Sequence, residues 1–192
     1  ATIHHPITVD RRLEMEHAET AWQRYSKSRW YAFTKMQTRV ASRMTRVITV
    51  SQNSFEDISK DHQVAKENMH VVPVGVDQDL FKPVPGVQRI PGRLITTASA
   101  DVTMKGLKYL LRAFVRIHRE MPNTRLIVVG AGDFSRYEKT TRQIGDIVFR
   151  AHVPYDELPR YHHTADVFCA PNTGNESQGY SIIEALAAGM PV

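Results

Sequence analysis

Arg93-Leu94-Ile95-Thr96-Thr97, then Lys105-Gly106-Leu107-Lys108-Tyr109-Leu110-Leu111-Arg112-Ala113-Phe114-Val115, then Leu126-Ile127-Val128-Val129, follow one another in a single stretch of the chain. Residues 94–97 read as a short strand. Leu107, Leu110, Leu111, Phe114 and Val115 recur at the spacing of one helix face, which predicts a helix from Lys105 to about Arg119. Residues 126–129 are apolar without interruption, as a parallel strand covered on both faces must be. Strand, helix, strand in this order is the repeating unit of a parallel sheet with helices against it.

The rhythm continues downstream. A helix is predicted near 134–143, a strand over 147–150, a short helix near 155–163 and a strand over 166–170. A last helix runs from about Tyr180 to Ala188, stopped by Gly189 and Pro191. Residues 93–192 therefore read as a doubly wound α/β domain, whose ligands bind beyond the carboxyl ends of its strands. Upstream, residues 1–77 read as a strand (1–4), a polar loop, a long helix (about 19–44), a strand (47–51), a helix (about 53–61) and a short strand (70–73). Residues 78–92 contain Pro83, Pro85, Gly86, Pro91 and Gly92, which punctuate regular elements and predict an interdomain linker.

The 192 residues, 42% hydrophobic and 23% charged, have the composition of a globular enzyme with one large domain or parts of two. The net charge of +5 gathers in the first half, at Arg24, Lys27, Arg29, Lys35, Arg39, Arg43 and Arg46. That excess does not demand nucleic acid; it suits anionic small substrates or a membrane surface. Cys169 is the only cysteine, so no intrachain disulfide forms and a reducing compartment is expected. No apolar run approaches the ~20 residues of a membrane span. The chain opens without methionine in a predicted strand and stops where another strand is due, which reads as an internal fragment of a longer protein.

Chemistry concentrates in Gly174-Asn175-Glu176-Ser177-Gln178-Gly179-Tyr180-Ser181-Ile182-Ile183-Glu184-Ala185-Leu186-Ala187-Ala188-Gly189. Glu176 sits in a Gly-rich loop, and Glu184 lies eight positions on, in the second turn of an Ala-rich helix. The first N–H groups of that helix lack intrahelical partners and carry partial positive charge, so they suit a diphosphate. Gly179 permits close backbone approach, and the two carboxylates suit hydroxyls. A surface helix with acids near its positive end has the same spacing.

This segment resembles the E-x7-E region of the glycosyltransferases of family 4, retaining enzymes with the two-domain GT-B fold. Phe168-Cys169-Ala170-Pro171 followed by Glu176-Ser177-x-Gly179 is similar to their phosphatidylinositol mannosyltransferase branch. Other landmarks agree in order. Ala1-Thr2-Ile3-His4 resembles the family's A-T-x-H stretch. Val72-Pro73-Val74-Gly75-Val76-Asp77 resembles P-x-G-V-D, Lys105-Gly106-Leu107 its K-G motif, and residues 126–132 its L-x-I-V-G-x-G strand and turn. The resemblance covers essentially the whole chain. It implies a GT-B fold of two Rossmann-like domains, both incomplete here: residues 1–77 from the acceptor-side domain, 78–92 the linker, 93–192 part of the nucleotide-sugar domain.

The resemblance also implies roles. Lys105 would hold the donor diphosphate and stabilise charge on the leaving group. Glu184 would hold the ribose and Glu176 the transferred sugar. Gly174 and the backbone of Ser177, Gln178 and Gly179 would face the sugar and phosphates. Val153 matches a position whose backbone contacts the base. His4 would stand near the anomeric carbon, with His5 as an alternative beside it, and Gly75 would line the cleft. The family commonly places an arginine five or six positions before the lysine. Here those positions are Ala100 and Ser99, so the second diphosphate clamp is replaced by the Ser99 hydroxyl or is missing.

The function expected is transfer of a hexose from a UDP- or GDP-sugar to a hydroxyl of a lipid or saccharide, with retention and without metal or other cofactor. The 192 residues alone are expected not to turn over. A non-catalytic sugar-nucleotide-binding scaffold and a GT-B-fold sugar-nucleotide epimerase are the alternatives. The basic segment 19–46 also carries Trp22, Trp30, Tyr31, Phe33 and Met36. It reads either as an interfacial membrane contact or as a helix with its apolar stripe turned inward. The location expected is cytoplasmic, with the inner membrane face as the surface such a contact would meet.

Overall fold

A computed structural model describes residues 1–100, 102–137, 141–142, 144–174 and 176–192. They divide into two compact units, one of residues 1–75 with 174–178, the other of residues 76–173 with 179–192.

The first unit carries helices α1 (Ile7–Glu16), α2 (Ala21–Trp30), α3 (Thr34–Ala41) and α4 (Gln52–His62). Its strands β1 (Val47–Thr49) and β2 (Met69–Val71) pair in parallel, Val47 opposite Met69. The strand expected over 1–4 is reduced to a bridge between Thr2 and Ile48. Buried Ala41, Val47, Ile58, Val64 and Met69 form this unit's apolar cluster.

Two expectations fail here for identifiable reasons. The polar loop expected before residue 19 is helix α1. Pro6, at its N-cap, holds an extended conformation that starts the helix. Asp61 of α4 then anchors it, accepting from Thr8 Oγ1 at 2.6 Å and from an Arg12 guanidinium nitrogen at 3.1 Å. Burial alone would discourage ionisation of Asp61, yet these hydrogen bonds outweigh it and hold the carboxyl below the usual range. The single helix expected over 19–44 is instead α2 and α3, joined by a tight 3-10 turn at Tyr31–Phe33. There the Thr34 hydroxyl donates to the Tyr31 carbonyl at 2.8 Å, competing with the regular ladder.

The second unit is a four-stranded parallel sheet in the order β5-β4-β3-β6, with β3 Arg93–Thr97, β4 Arg125–Val129, β5 Ile147–Arg150 and β6 Val167–Phe168. Leu94 stands opposite Leu126 and Val167; Leu126 stands opposite Ile147. Strand alternation then decides which face each side chain serves. Leu126 and Val128 join Leu107, Leu110, Leu111 and Phe114 of helix α5 (Leu107–Glu120). Ile95, Ile127 and Val129 join Phe168, Ala165, Ala185 and Met190 on the other face, with Leu158 and Tyr161 of α6 (Leu158–His163) and Ile182 of α7 (Tyr180–Ala187). Each fully buried large side chain contributes about 1.5–3 kcal/mol of transfer free energy. The sheet is thus wound on both sides, as the continuous apolar run in β4 predicts. The helix predicted near 134–143 begins as a 3-10 turn at Phe134–Tyr137, and most of its remainder lies outside the described residues.

Residues 76–92 belong with the second unit. Phe81 is fully buried there, its ring meeting those of Tyr155 (5.3 Å between centroids) and His162 (6.0 Å). The Ile90 N–H bonds to the Thr164 carbonyl at 3.0 Å.

Candidate functional site

The second unit gathers its candidate residues beyond the carboxyl ends of the strands, where a wound parallel sheet places its loops. Past β3 the chain turns back through a hydrogen bond from the Val102 N–H to the Ser99 carbonyl. Ala100 is buried, its N–H bonded to the Ala131 carbonyl and its carbonyl accepting from the Tyr137 hydroxyl. Of the two positions where an arginine is looked for, the fold closes over Ala100 and leaves Ser99 half-buried.

Lys105 ends a 3-10 turn, Thr103–Lys105, and does not open α5 as the sequence predicts. Gly106 intervenes with φ of 64° and caps the helix. A Cβ at Gly106 would collide with the Pro171 carbonyl. The Thr173 N–H donates to the Met104 carbonyl at 2.9 Å. A left-handed glycine and one hydrogen bond thus fix the turn carrying Lys105 against residues 171–173, which follow β6.

Helix α7 starts at Gly179, whose φ is 71° and which offers no side-chain cap. Its first-turn donors keep the partial positive charge the sequence implies. Glu184, five residues on, is 4% exposed. One carboxylate oxygen accepts from the Tyr155 hydroxyl at 2.7 Å, and that hydroxyl also lies 3.4 Å from the Tyr180 hydroxyl. Burial raises the Glu184 carboxyl above its ordinary value, against the opposing pull of the Tyr155 hydrogen bond. Burial and the two hydrogen bonds push the Tyr155 phenol up. Tyr155 stays un-ionised as a donor to one Glu184 oxygen. Val153 packs its side chain against the apolar cluster that includes Ile182 of α7.

In the first unit His4 is exposed, whereas the His5 imidazole lies 2.7 Å from an Asp10 carboxylate oxygen. Of the two adjacent histidines, His5 is engaged in the fold and His4 is presented. Gly75 has no positive φ, and among the described residues a Cβ there would meet nothing within 4 Å. Gly174, Glu176, Ser177 and Gln178 belong to this unit and are all half-buried. The Ser54 hydroxyl reaches the Ser177 carbonyl at 3.5 Å, and Gln178 is bound through its side chain to Val74.

The structure thus brings Ser99, Lys105, Val153, Gly179 and Glu184 into one unit, and His4, Gly75, Gly174, Glu176, Ser177 and Gln178 into the other. Tyr155 escapes a reading by spacing, because it looks like the start of a short helix. Its signal is an aromatic hydroxyl just after a strand's carboxyl end. Among the described residues no three His, Cys, Asp or Glu side chains gather as a metal-binding group.

The fold is shared with solved structures. Sucrose-phosphate synthase from Thermosynechococcus elongatus superposes over 100% of this chain and 48% of its own, with a TM-score of 0.74 at 22% identity. This defines a GT-B chain built from two Rossmann-like units, each represented in part. Residues 91–192 match the family model described as glycosyl transferases group 1, and residues 1–80 match that of glycosyltransferase family 4. The chain belongs to the group 1 glycosyl transferases. It is 39% identical to the MMP alpha-(1->4)-mannosyltransferase of Mycolicibacterium hassiacum, over 100% of this chain and 46% of that protein. It is 34% identical to the GDP-mannose-dependent alpha-(1-6)-phosphatidylinositol monomannoside mannosyltransferase of Mycolicibacterium smegmatis, over 63% of this chain and 36% of that protein. The chain spans less than half the length of these curated relatives.

Proposed function

We propose that this chain forms the donor site and part of the acceptor side of a retaining hexosyltransferase, acting within a longer protein and inactive alone. It moves a hexose from a UDP- or GDP-sugar to a hydroxyl of a lipid or saccharide. Mannose from GDP-mannose is favoured, because the relatives named above are mannosyltransferases and one is called GDP-mannose-dependent. The observation that carries the reading is Glu184: a buried carboxylate on the helix after β6, which has no side-chain cap, with one oxygen held by Tyr155.

In this reading Glu184 holds the ribose, and the start of α7 with Lys105 faces the diphosphate. Ser99 adds one hydroxyl, Val153 offers backbone to the base, and Glu176 with Gly174 orients the sugar. His4 and Gly75 serve the acceptor side. The acceptor oxygen forms its bond to the anomeric carbon on the face the diphosphate leaves. The anomeric C–O bond breaks, and the acceptor proton passes to the departing phosphate oxygen. Lys105 and the helix N–H groups stabilise the charge released. No metal and no other cofactor takes part.

The test uses the longest natural chain containing these residues, offered UDP- and GDP-sugars with and without a hydroxyl acceptor, in chelator. Nucleoside diphosphate release should need the acceptor, the product should keep the donor's anomeric configuration, and Lys105→Ala should lower kcat by roughly 10²–10³-fold. Donor binding without release, or release that Lys105→Ala leaves intact, overturns the assignment.

We further propose a peripheral contact with an anionic membrane, on its cytoplasmic face, supported by the exposed aromatics and the charge of the first unit. Helix α2 buries none of its residues, and Trp22 and Trp30 are 73% and 74% exposed. In α2 this favours the interfacial alternative over an apolar stripe turned inward. Residues 20–55 contain seven Arg or Lys and no Asp or Glu, the charge an anionic lipid surface attracts. No helix among the described residues is long and apolar enough to cross a membrane. Trp22 and Trp30 are the chain's only tryptophans. Their emission should shift to the blue on phosphatidylglycerol vesicles and not on pure phosphatidylcholine; emission indifferent to both refutes the contact.

A further inference from the structure

The loop bearing Glu176 is tied to its unit by a side chain that sequence reading uses only for its backbone. Gln178 Nε2 donates to the Val74 carbonyl at 2.7 Å, and Gln178 Oε1 accepts from the Val74 N–H at 2.6 Å. A carboxamide here does what a neighbouring strand does, satisfying the donor and the acceptor of one residue together. Val74 lies just past the β1–β2 ladder, which ends with the Val72 N–H bonded to the Thr49 carbonyl at 2.8 Å. Gln178 thus prolongs that ladder with a side chain, across 104 positions of sequence. Val74 directly precedes Gly75, and Gln178 follows Glu176 by two residues.

We infer that Gln178 is a positioning residue. Its carboxamide fixes the loop carrying Glu176 beside Val74 and Gly75, and so sets the orientation in which Glu176 meets a sugar hydroxyl. The inference rests on the proposed glycosyl transfer for the role of Glu176, while the tie itself does not. The bonding is specific to an amide. Leucine fills similar space and offers neither bond. An ionised glutamate accepts from the Val74 N–H but turns its other oxygen against the Val74 carbonyl. A protonated glutamate carries one donor and one acceptor and restores the pattern, so its neutral form is favoured there.

The experiment compares Gln178→Leu and Gln178→Glu with the unaltered protein, in the longest natural chain containing these residues. Amide hydrogen exchange at Val74 and across residues 174–178 reads the tie. Steady-state transfer, from about pH 5 to pH 8 and normalised to the unaltered protein at each pH, reads its consequence. Gln178→Leu should lose protection at Val74 and drop kcat/KM about tenfold or more, with thermal unfolding little changed. Gln178→Glu should behave like Gln178→Leu at the high end and recover both protection and kcat/KM at the low end. Undiminished protection in Gln178→Leu overturns the inference whether or not a donor is found. So does lost protection with unchanged kcat/KM, or a Gln178→Glu variant with no recovery in acid. Absence of transfer with every donor, while exchange behaves as described, refutes the glycosyl-transfer reading and with it the role given to Glu176.

Discussion

His162 is fully buried between the rings of Phe81 and Phe168, and among the described residues neither of its ring nitrogens has a hydrogen-bond partner. Adjacent to His163 in α6, it is a polar group in an apolar seat. Burial, with help from the His163 charge, lowers its pKa to about 4. The unfolded chain takes the proton near 6.5, so the native state binds it less readily. This contribution to stability is complete above about pH 6.5. It is lost as the pH falls toward 4, up to about 3 kcal/mol for this one group. His162→Leu removes both the desolvated imidazole and its acid sensitivity. The variant should be more stable by about 1–3 kcal/mol at neutral pH. Its denaturation midpoint should also fall less steeply between pH 6.5 and 4. A destabilised variant, or one with an unchanged acid slope, would show that the imidazole has a role the packing does not reveal.

At the scale of elements, what was legible followed from period and what was not followed from tertiary contact. The strands 94–97, 126–129 and 147–150 and the helix over 107–119 could be read because burial on fixed faces writes itself into alternation and helical spacing. Helix α1 could not, since only Val9 among its residues is buried and its support comes from Asp61, far away in sequence. The joint between α2 and α3 has no proline or glycine to announce it; a buried threonine hydroxyl makes it. The candidate site divides in the same way. Glu176 and Glu184 stand out as candidates by local spacing together with family resemblance, and Lys105 by the resemblance alone. Tyr155 and the carboxamide of Gln178 were not, because each acts on a partner 29 or 104 positions distant.

For the molecule as a whole, Phe81 links the segment read as a linker to the proposed donor site inside one unit. Its ring is buried against Tyr155 and His162, while Pro83, two residues on, lies beside Gly189 at the end of α7. Tyr155 in turn donates to Glu184. Phe81→Ala empties a site at the meeting of these elements and should cost about 3–5 kcal/mol. The two units need not unfold together, so a single midpoint is not the right measure; hydrogen exchange of β3 and β4 follows the second unit by itself. Tyr155→Phe keeps the ring against Phe81 and removes only the hydroxyl bonded to Glu184. It should leave exchange in the sheet nearly unchanged and weaken nucleoside diphosphate binding by roughly tenfold, the size of a hydrogen bond to a charged group. Phe81→Ala should move both measurements. If Tyr155→Phe binds as tightly as the unaltered protein, Glu184 is held by its burial alone and the hydroxyl is incidental. If Phe81→Ala leaves exchange in β3 and β4 unchanged, residues 76–92 lie on the second unit without supporting it.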